Sequence, residues 1–367
     1  MVVTEQSAKN SSAPIRVAII YGGRSSEHSV SCVTAGAIMS HLDPDAYEVF
    51  PVGITREGVW TVGQRDVTKL VVDGRTLPEV ELTEAITLAL DPEHKGQFTT
   101  SDGQLLFEAD VVFPCLHGPF GEDGTIQGLF ELSGVAYVGP GVLASAACMD
   151  KEYTKKILGA AGLAIGREHI LYPGDSTDLG QQLREELGLP VFVKPARGGS
   201  SIGISRVTSW ENFDDAVTLA REHDAKVIIE SEIIGDEVEV GVLELPDGRV
   251  IASVPAQLQG TDEGEEGFYD FDTKYLDNVV APLIPAPIGE EATSQLKNQA
   301  ITAFRALGCR GLSRVDFFLT DNGPVVNEVN TMPGFTPISM YPQVLQASGY
   351  SYQQLLDILI ERALSTN

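Results

Sequence analysis

The sequence predicts an α/β fold that begins with an open parallel sheet, and three observations carry that expectation. Ile15–Tyr21 (IRVAIIY) is short and continuously apolar, as a strand buried on both faces must be. Gly22-Gly23-Arg24-Ser25-Ser26-Glu27 follows it, and then a helical stretch reaches about Leu42. Two further runs, YEVFPVGI before Gly58 and ADVVFPCLHG before a glycine-bearing loop, continue the alternation of strand and helix. Open α/β sheets collect ligands at the carboxyl ends of their strands. GGRSSE and LHGPFGEDG both stand at such ends.

The bulk properties agree with this class. A chain of 367 residues has room for two or three domains. Hydrophobic content of 43% and charged content of 21% suit a soluble globular protein. No apolar run approaches the ~20 residues that span a bilayer, and residues 1–14 (MVVTEQSAKNSSAP) read as a loose polar tail without the apolar core of a signal peptide. Cys32, Cys115, Cys148 and Cys309 form no CxxC pair, so free buried thiols in a reducing cytoplasm are expected. The formal net charge of −27 opposes nucleic acid and anionic membranes. A small phosphate ligand would have to be held by a few well-placed lysines.

Further along, the composition changes at Asp150-Lys151, where a lysine-bearing helix (DKEYTKKILGAAG) starts. LPVFVKPARGGSSIGISRV gives two apolar strands around a Gly/Ser bend. A helix over 209–222 and a strand over 226–230 complete a small α/β unit. EVEVGVLEL and GRVIASVPA predict a hairpin around Pro-Asp-Gly. GTDEGEEGFYDFDTKYLDN has no clear periodicity, and a segment that long inside a compact protein is a functional loop or a disordered one. A helix over about 289–307, the strands GLSRVDFFL and PVVNEV, and two helices to 365 close the chain.

The chemistry concentrates in NEVNTMPGFT, residues 327–336. Residues i and i+2 of a strand share a face, so Glu328 and Asn330 offer hard oxygens on one side. A solvated strand end before a Pro-Gly turn is the bland alternative. Arg314 and Asp316 alternate in the same way on the preceding strand, and Thr320-Asp321-Asn322-Gly323-Pro324 predicts a hairpin that sets the two faces side by side. Mutual neutralisation of Arg314 and Asp316 on an exposed face explains the charges but not the carboxamide. A magnesium site explains the whole cluster. Lys194, at the end of the strand PVFV, is not needed for packing, and ARGGSSIG beside it is rich in backbone N–H donors suited to phosphates, although it is no Walker A loop. A mobile hairpin tip would look the same. His117 and Glu122 read alone as loop residues, and Ser25-Ser26-Glu27 can simply start a helix.

Taken in order, YGGRSSEHSVS, LHGPFGEDGTIQG, MDKEYTK, VFVKPARGGSSIG, IIE, FYDFDTKY, GLSRVDFFL and NEVNTMPGFTPISMYP resemble the D-alanine–D-alanine ligase family of ATP-grasp ligases, from about residue 15 to 360. The resemblance implies a three-domain ATP-grasp architecture: an open parallel α/β domain over 15–147, a small central α+β domain over 148–230, and a C-terminal α+β domain over 231–367 with a closing loop over 260–278. It implies ATP and two Mg2+ (or Mn2+) ions, with Asp316, Glu328 and Asn330 as metal ligands. Lys151, Lys194, Ser201, Glu230, Ile233, Glu237 and Lys274 would contact ATP, Lys151 and Lys194 at the phosphates, Glu230 at the adenine hinge and Glu237 at the ribose. Glu27, with His117 nearby, would hold the first D-alanine, and Ser339 and Met340 would receive the second. Ser200 and Tyr275 would link to Glu27 across the closed loop, while Arg314 and the Gly334 N–H stabilise the oxyanion. Met332 and Met340 stand where relatives differ. The same resemblance implies a cytoplasmic homodimer.

Three other readings compete. A D-alanine–D-lactate ligase would lack the loop tyrosine, and FDTKY keeps Tyr275. A nicotinamide-dependent dehydrogenase would suit IRVAIIYGG, but GGRSSE is not GxGxxG and no acidic ribose contact follows the second strand. A nucleotide-binding regulator without catalysis would have no use for Arg314 and the full ligand set.

Overall fold

The computed structural model describes residues 13–199, 202–258 and 282–365. The expected tail (except residues 13 and 14) and the expected closing loop lie outside the described residues, as do Ser200, Ser201, Lys274 and Tyr275.

The first sheet is built from β1 (Ile15–Gly22), β2 (Tyr47–Ile54), β3 (Trp60–Val62), β7 (Val111–Pro114) and β8 (Ala136–Tyr137), in the order β3-β2-β1-β7-β8. All its pairings are parallel except β2 with β3. Between β3 and β7 the chain makes a small antiparallel sheet, β4 (Ile86–Leu88), β5 (Gln97–Thr100) and β6 (Leu105–Glu108), which the sequence reading did not anticipate. Its strands are too short and too polar to show a period. The helices here are α1 (His28–His41), α2 (Thr125–Ser133) and α3 (Val142–Met149). The strand order reverses direction at β1, so the loops after β1 and β7 flank the crevice where open sheets bind ligands.

Next come α4 (Lys151–Ala160), β9 (Glu168–Leu171), α5 (Gly180–Leu187), β10 (Val191–Pro195), β11 (Ser205–Val207), α6 (Phe213–His223) and β12 (Val227–Ser231). Their strands form an antiparallel sheet in the order β11-β10-β12-β9. The helix expected from residue 209 starts instead with a 3-10 turn over Trp210–Asn212, capped by Ser209. The strand expected from residue 226 starts one residue later, and Lys226 is buried at its threshold.

The last sheet contains β13 (Asp236–Glu244), β14 (Val250–Ala252), β15 (Ala256–Gln257), β16 (Leu312–Thr320) and β17 (Gly323–Asn330), in the order β14-β13-β16-β17 with β15 on β13. It is antiparallel throughout, and β16 and β17 are the expected hairpin. α7 (Glu290–Ala306) buries Leu296, Ala300, Ala303 and Phe304 together with the core-facing valines of β13 and β16. α8 (Met340–Ala347) and α9 (Tyr352–Leu364) follow. Leu355, Leu356, Leu359 and Ile360 of α9 share one core with Val17, Ile19, Val111 and Phe113 of the first sheet. Each such side chain contributes ~1.5–3 kcal/mol when fully buried, so the two ends of the chain are packed as one body. Met332 belongs to this core, and its sulfur fills the space beside Gly139, where a methyl would lie 2.7 Å away. Cys32, Cys115 and Cys309 are buried, Cys148 is partly so, and all four are free. Among the described residues no helix is long and apolar enough to cross a membrane.

Candidate active site

The two loops at the first sheet's crevice meet through Glu27. It occupies the N-cap of α1, yet its side chain accepts no backbone bond from the first turn. The segment does lead into a helix, as the bland reading has it, but the Glu27 side chain is not used to cap it. The carboxylate instead lies against the loops that follow β7 and β10: a methyl on Gly118 would stand 2.9 Å from its Oε2, and one on Gly199 3.6 Å. Gly118 has φ +69°, a conformation that side chains other than glycine's adopt at a cost. His117 is buried and bonds Met332 O through Nδ1 at 3.1 Å and Thr34 Oγ1 through Nε2 at 3.3 Å. A carbonyl only accepts, so Nδ1 carries the proton. Glu122 accepts from the N–H of Gly118 at 2.8 Å and of Met332 at 3.1 Å. Burial, and then the neighbouring Glu27, push its carboxyl up to about 8.

The lysines gather on the face of the central sheet. Lys194 of β10 pairs with Glu230 Oε2 at 2.6 Å, and Lys155 of α4 closes on the other oxygen, Oε1. Burial alone would raise Glu230, but the two ammonium groups hold it well below the usual carboxylate range. Glu168 stands opposite Glu230 in the β9–β12 register and 4.0 Å from Lys155. Burial first, and then the charge of Glu230, raise it to about 7, against the pull of Lys155. Lys151 opens α4 and donates to Gly198 O at 2.7 Å, inside the glycine-rich bend. Its pKa is lowered by burial and by Lys194, partly offset by Glu328.

The acidic cluster lies on β13, β16 and β17. Arg314 binds Asp316 through Nε at 2.7 Å and Nη2 at 2.6 Å, and its Nε lies 3.1 Å from Glu239. The neutralising pair considered from sequence therefore exists, but with Arg314 buried and Asp316 half-buried rather than on an exposed face. Asn330 Nδ2 donates to Asp316 at 2.9 Å. Glu328 faces Asp316 across the ladder, and a β-bulge between Asp316 and Phe317 resets the register there. Glu328 also acts electrostatically on both Lys151 and Lys194. Cationic and acidic groups thus face one another across the space between the central and last sheets.

The remaining candidates surround this space. Ile233 lies between β12 and β13, its Cδ1 2.9 Å from where a Gly166 methyl would stand. Glu237, opposite Phe318 on β13, acts electrostatically on Lys194. Gly334 leaves room for Ser339, whose Oγ would lie 3.0 Å from a methyl there, and Ser339 Oγ accepts from Thr336 N at 3.0 Å. Ser339 is the N-cap of α8 and Met340 its first residue. Lys155, Glu168, Glu239 and the bridging role of Glu122 escaped the sequence reading. Two of them carried a signal: Lys155 follows Lys151 by four residues and shares its helix face, and Glu239 shares a strand face with Glu237. Among the described residues no three His, Cys, Asp or Glu side chains form a ready metal cage. Two carboxylates and a carboxamide are nevertheless a hard-oxygen set: Asp316 Oδ2 already accepts from both Arg314 and Asn330, but Oδ1 accepts from Arg314 Nε and keeps a second lone pair.

Comparison with known proteins gives a consistent result. A family model described as D-ala D-ala ligase N-terminus matches residues 16–140, and one described as D-ala D-ala ligase C-terminus matches 158–361. The D-alanine--D-alanine ligase of Corynebacterium glutamicum (strain R) is 64% identical over 357 residues, which is 97% of this chain and 99% of the relative. The solved VanG D-Ala:D-Ser ligase of Enterococcus faecalis has a TM-score of 0.82 at 35% identity, covering 95% of this chain and 99% of that one. A D-alanine--D-alanine ligase of Bacillus anthracis, solved in complex with ATP, has a TM-score of 0.70 at 26% identity and covers 96% and 98%.

Proposed function

We propose, since the chain belongs to the D-alanine–D-alanine ligase family, that it joins two D-alanines into D-alanyl-D-alanine with cleavage of one ATP, for bacterial cell-wall precursors. The observation that carries this reading is the opposition of Lys151 and Lys194 to the Arg314–Asp316–Asn330 cluster and Glu328. Two cations facing a hard-oxygen set suit a triphosphate being transferred.

Phosphoryl transfer needs alignment and charge neutralisation more than covalent help. Lys151 and Lys194 would meet the phosphates, Ile233, Glu230 and the following backbone the base, and Glu237 the ribose, with Ser201 and Lys274 completing the set. Asp316, Glu328 and Asn330 would hold two magnesium or manganese ions, which neutralise charge on the transferring phosphoryl group. Glu27 would bind the ammonium of the first D-alanine beside His117, leaving its carboxylate to accept the γ-phosphoryl group. The resulting acyl phosphate is attacked by the amine of the second D-alanine, whose carboxylate would rest at the α8 N-terminus by Ser339 and Met340. With Nε and Nη2 of Arg314 on Asp316, its Nη1 edge and the Gly334 N–H would meet the tetrahedral oxyanion before phosphate leaves. Tyr275, linked through Ser200 to the Glu27 carboxylate, would orient the amine and relay its proton toward that carboxylate. The reading includes the three domains at the expected boundaries, a closing loop over 260–278, a homodimer and a cytoplasmic setting.

The test is phosphate release with ATP and D-alanine, with the product identified by mass. D-serine and D-lactate compete as acceptors, because one solved relative is a D-Ala:D-Ser ligase. Dipeptide formation with D-alanine preferred is the expected result. No D-alanine-dependent phosphate release, or preference for another acceptor, would overturn the reading.

A further inference from the structure

Beside the phosphate-facing lysines is a second buried charge cluster that the mechanism does not use. Lys226 is buried, and its ammonium donates to Asp150 Oδ2 at 2.5 Å and Glu152 Oε2 at 2.8 Å. Both carboxylates are also buried. Glu152 further accepts from Tyr172 Oη at 2.5 Å and Lys156 Nζ at 2.5 Å, and the Tyr153 ring lies 4.9 Å from the Lys226 ammonium. Asp150 and Glu152 are the two chain neighbours of Lys151. Asp150 is also the N-cap of α4, accepting from the Glu152 N–H.

The backbone closes the same ring. Lys151 N–H donates to Ala196 O at 3.0 Å, and Ala196 N–H donates to Lys226 O at 3.0 Å. Asp224 ties in the next residue of the glycine-rich bend: it accepts from Arg197 N at 3.0 Å, from Arg197 Nη2 at 2.6 Å and from Lys226 N at 3.1 Å. The Lys226 side chain thus ties down the start of α4, while its backbone carbonyl, through Ala196, holds the chain that runs from β10 into the bend 198–199. Lys151 reaches Gly198 O across that fixed gap.

We propose that Lys226 is a positioning residue for nucleotide phosphates, holding Asp150 and Glu152 so that Lys151 is presented to them beside the glycine-rich bend. The proposal rests on the ATP-dependent reading and on Lys151 as a phosphate contact. A charge cluster serving stability alone would lower Tm without distinguishing one ligand from another. A positioning role discriminates: binding of ADP and ATP suffers, whereas adenosine, which has no phosphate, is unaffected.

The experiment measures KM for ATP and D-alanine, and calorimetric affinity for ADP and adenosine, in Lys226→Met and Lys151→Met alongside the parent. Expected for Lys226→Met are a roughly tenfold weakening of ATP and ADP (about 1.4 kcal/mol), unchanged adenosine affinity and unchanged KM for D-alanine. Lys151→Met should show the same pattern more strongly. Removing one partner of a buried ion pair can prevent folding, so Lys226→Gln combined with Glu152→Gln serves as a charge-balanced second variant. Tyr172→Phe, which removes only a peripheral bond to Glu152, should leave all four values at parent level. If Lys151→Met weakens ADP and neither Lys226 variant does, the positioning role is refuted and the mechanism stands. If Lys151→Met leaves ADP unchanged, the phosphate role of Lys151 and the proposal fall together. Equal losses for ADP and adenosine in the Lys226 variants would reduce the cluster to a stabilising one.

Discussion

Arg314→Lys separates the two things a buried arginine can do at this site. Arg314 is 8% exposed, with bonds to Asp316 at 2.7 and 2.6 Å and with Glu239 3.1 Å away. Lysine keeps the positive charge but replaces the planar fork with a single ammonium, which cannot reach both Asp316 oxygens in parallel. A hydrogen bond to a charged group contributes roughly 1.5–3 kcal/mol net, so losing one costs about 2 kcal/mol of stability. At about 2.1 cal/mol/K of unfolding entropy per residue, a chain of 367 residues loses roughly 1.3 °C per kcal/mol, so Tm should fall by about 3 °C. The catalytic loss is expected to be larger. Removing one preorganised oxyanion donor costs about 10²–10³ in kcat, or ~2.7–4 kcal/mol. The assay is D-alanine-dependent phosphate release at saturating ATP, with scanning fluorimetry on the same samples. The expected result is a kcat at least a hundredfold down while most of the protein remains folded at assay temperature. A kcat within threefold of the parent, together with the fall in Tm, would make Arg314 a structural counter-ion and remove it from the chemistry.

Other outcomes follow from the same geometry. Asp316→Asn and Glu328→Gln should abolish most D-alanine-dependent phosphate release; Asp316→Asn weakens the paired bonds to the buried Arg314 and should lower Tm about as much as Arg314→Lys, whereas Glu328→Gln should leave Tm near the parent's; parent-like turnover at ordinary magnesium would take them out of the metal site. Gly118→Ala puts a methyl 2.9 Å from Glu27 Oε2 at φ +69°, so KM for D-alanine should rise at least tenfold with KM for ATP unchanged, and parent-like D-alanine kinetics would displace Glu27 from the first substrate. Glu168 has its carboxyl raised from 4.5 to about 7. Its protonated form contributes stability that is complete below the ordinary value and lost as pH rises through the folded one. Glu168→Gln cannot lose that contribution, so its Tm relative to the parent should climb between about pH 5 and pH 8; a flat difference would show an ordinary carboxylate.

The sequence by itself determined the family and the order of many main elements, though not β4–β6. Continuous apolar runs and glycine-bearing strand ends are local signals, and an ordered series of motifs needs no contact to be recognised. Glu328 and Asn330 were legible because a strand's period of two follows from backbone geometry alone. Only the tertiary structure decided which charges are buried and with what partners. Asp150 and Lys226 are 76 residues apart, and His117 reaches Met332 over 215; nothing local to either residue announces the other. Read along the chain, Lys226 is a polar residue at a strand's solvent end, Glu168 a polar strand residue and Glu122 part of a loop. Each became a perturbed or load-sharing charge when α4, β9 or the 332 turn closed over it and removed the water. The bulge between Asp316 and Phe317 is likewise invisible in sequence, since register is set by what the hairpin packs against. Burial and pairing are sums over distant segments, and they set ionisation, which is why the folded chain had to decide them.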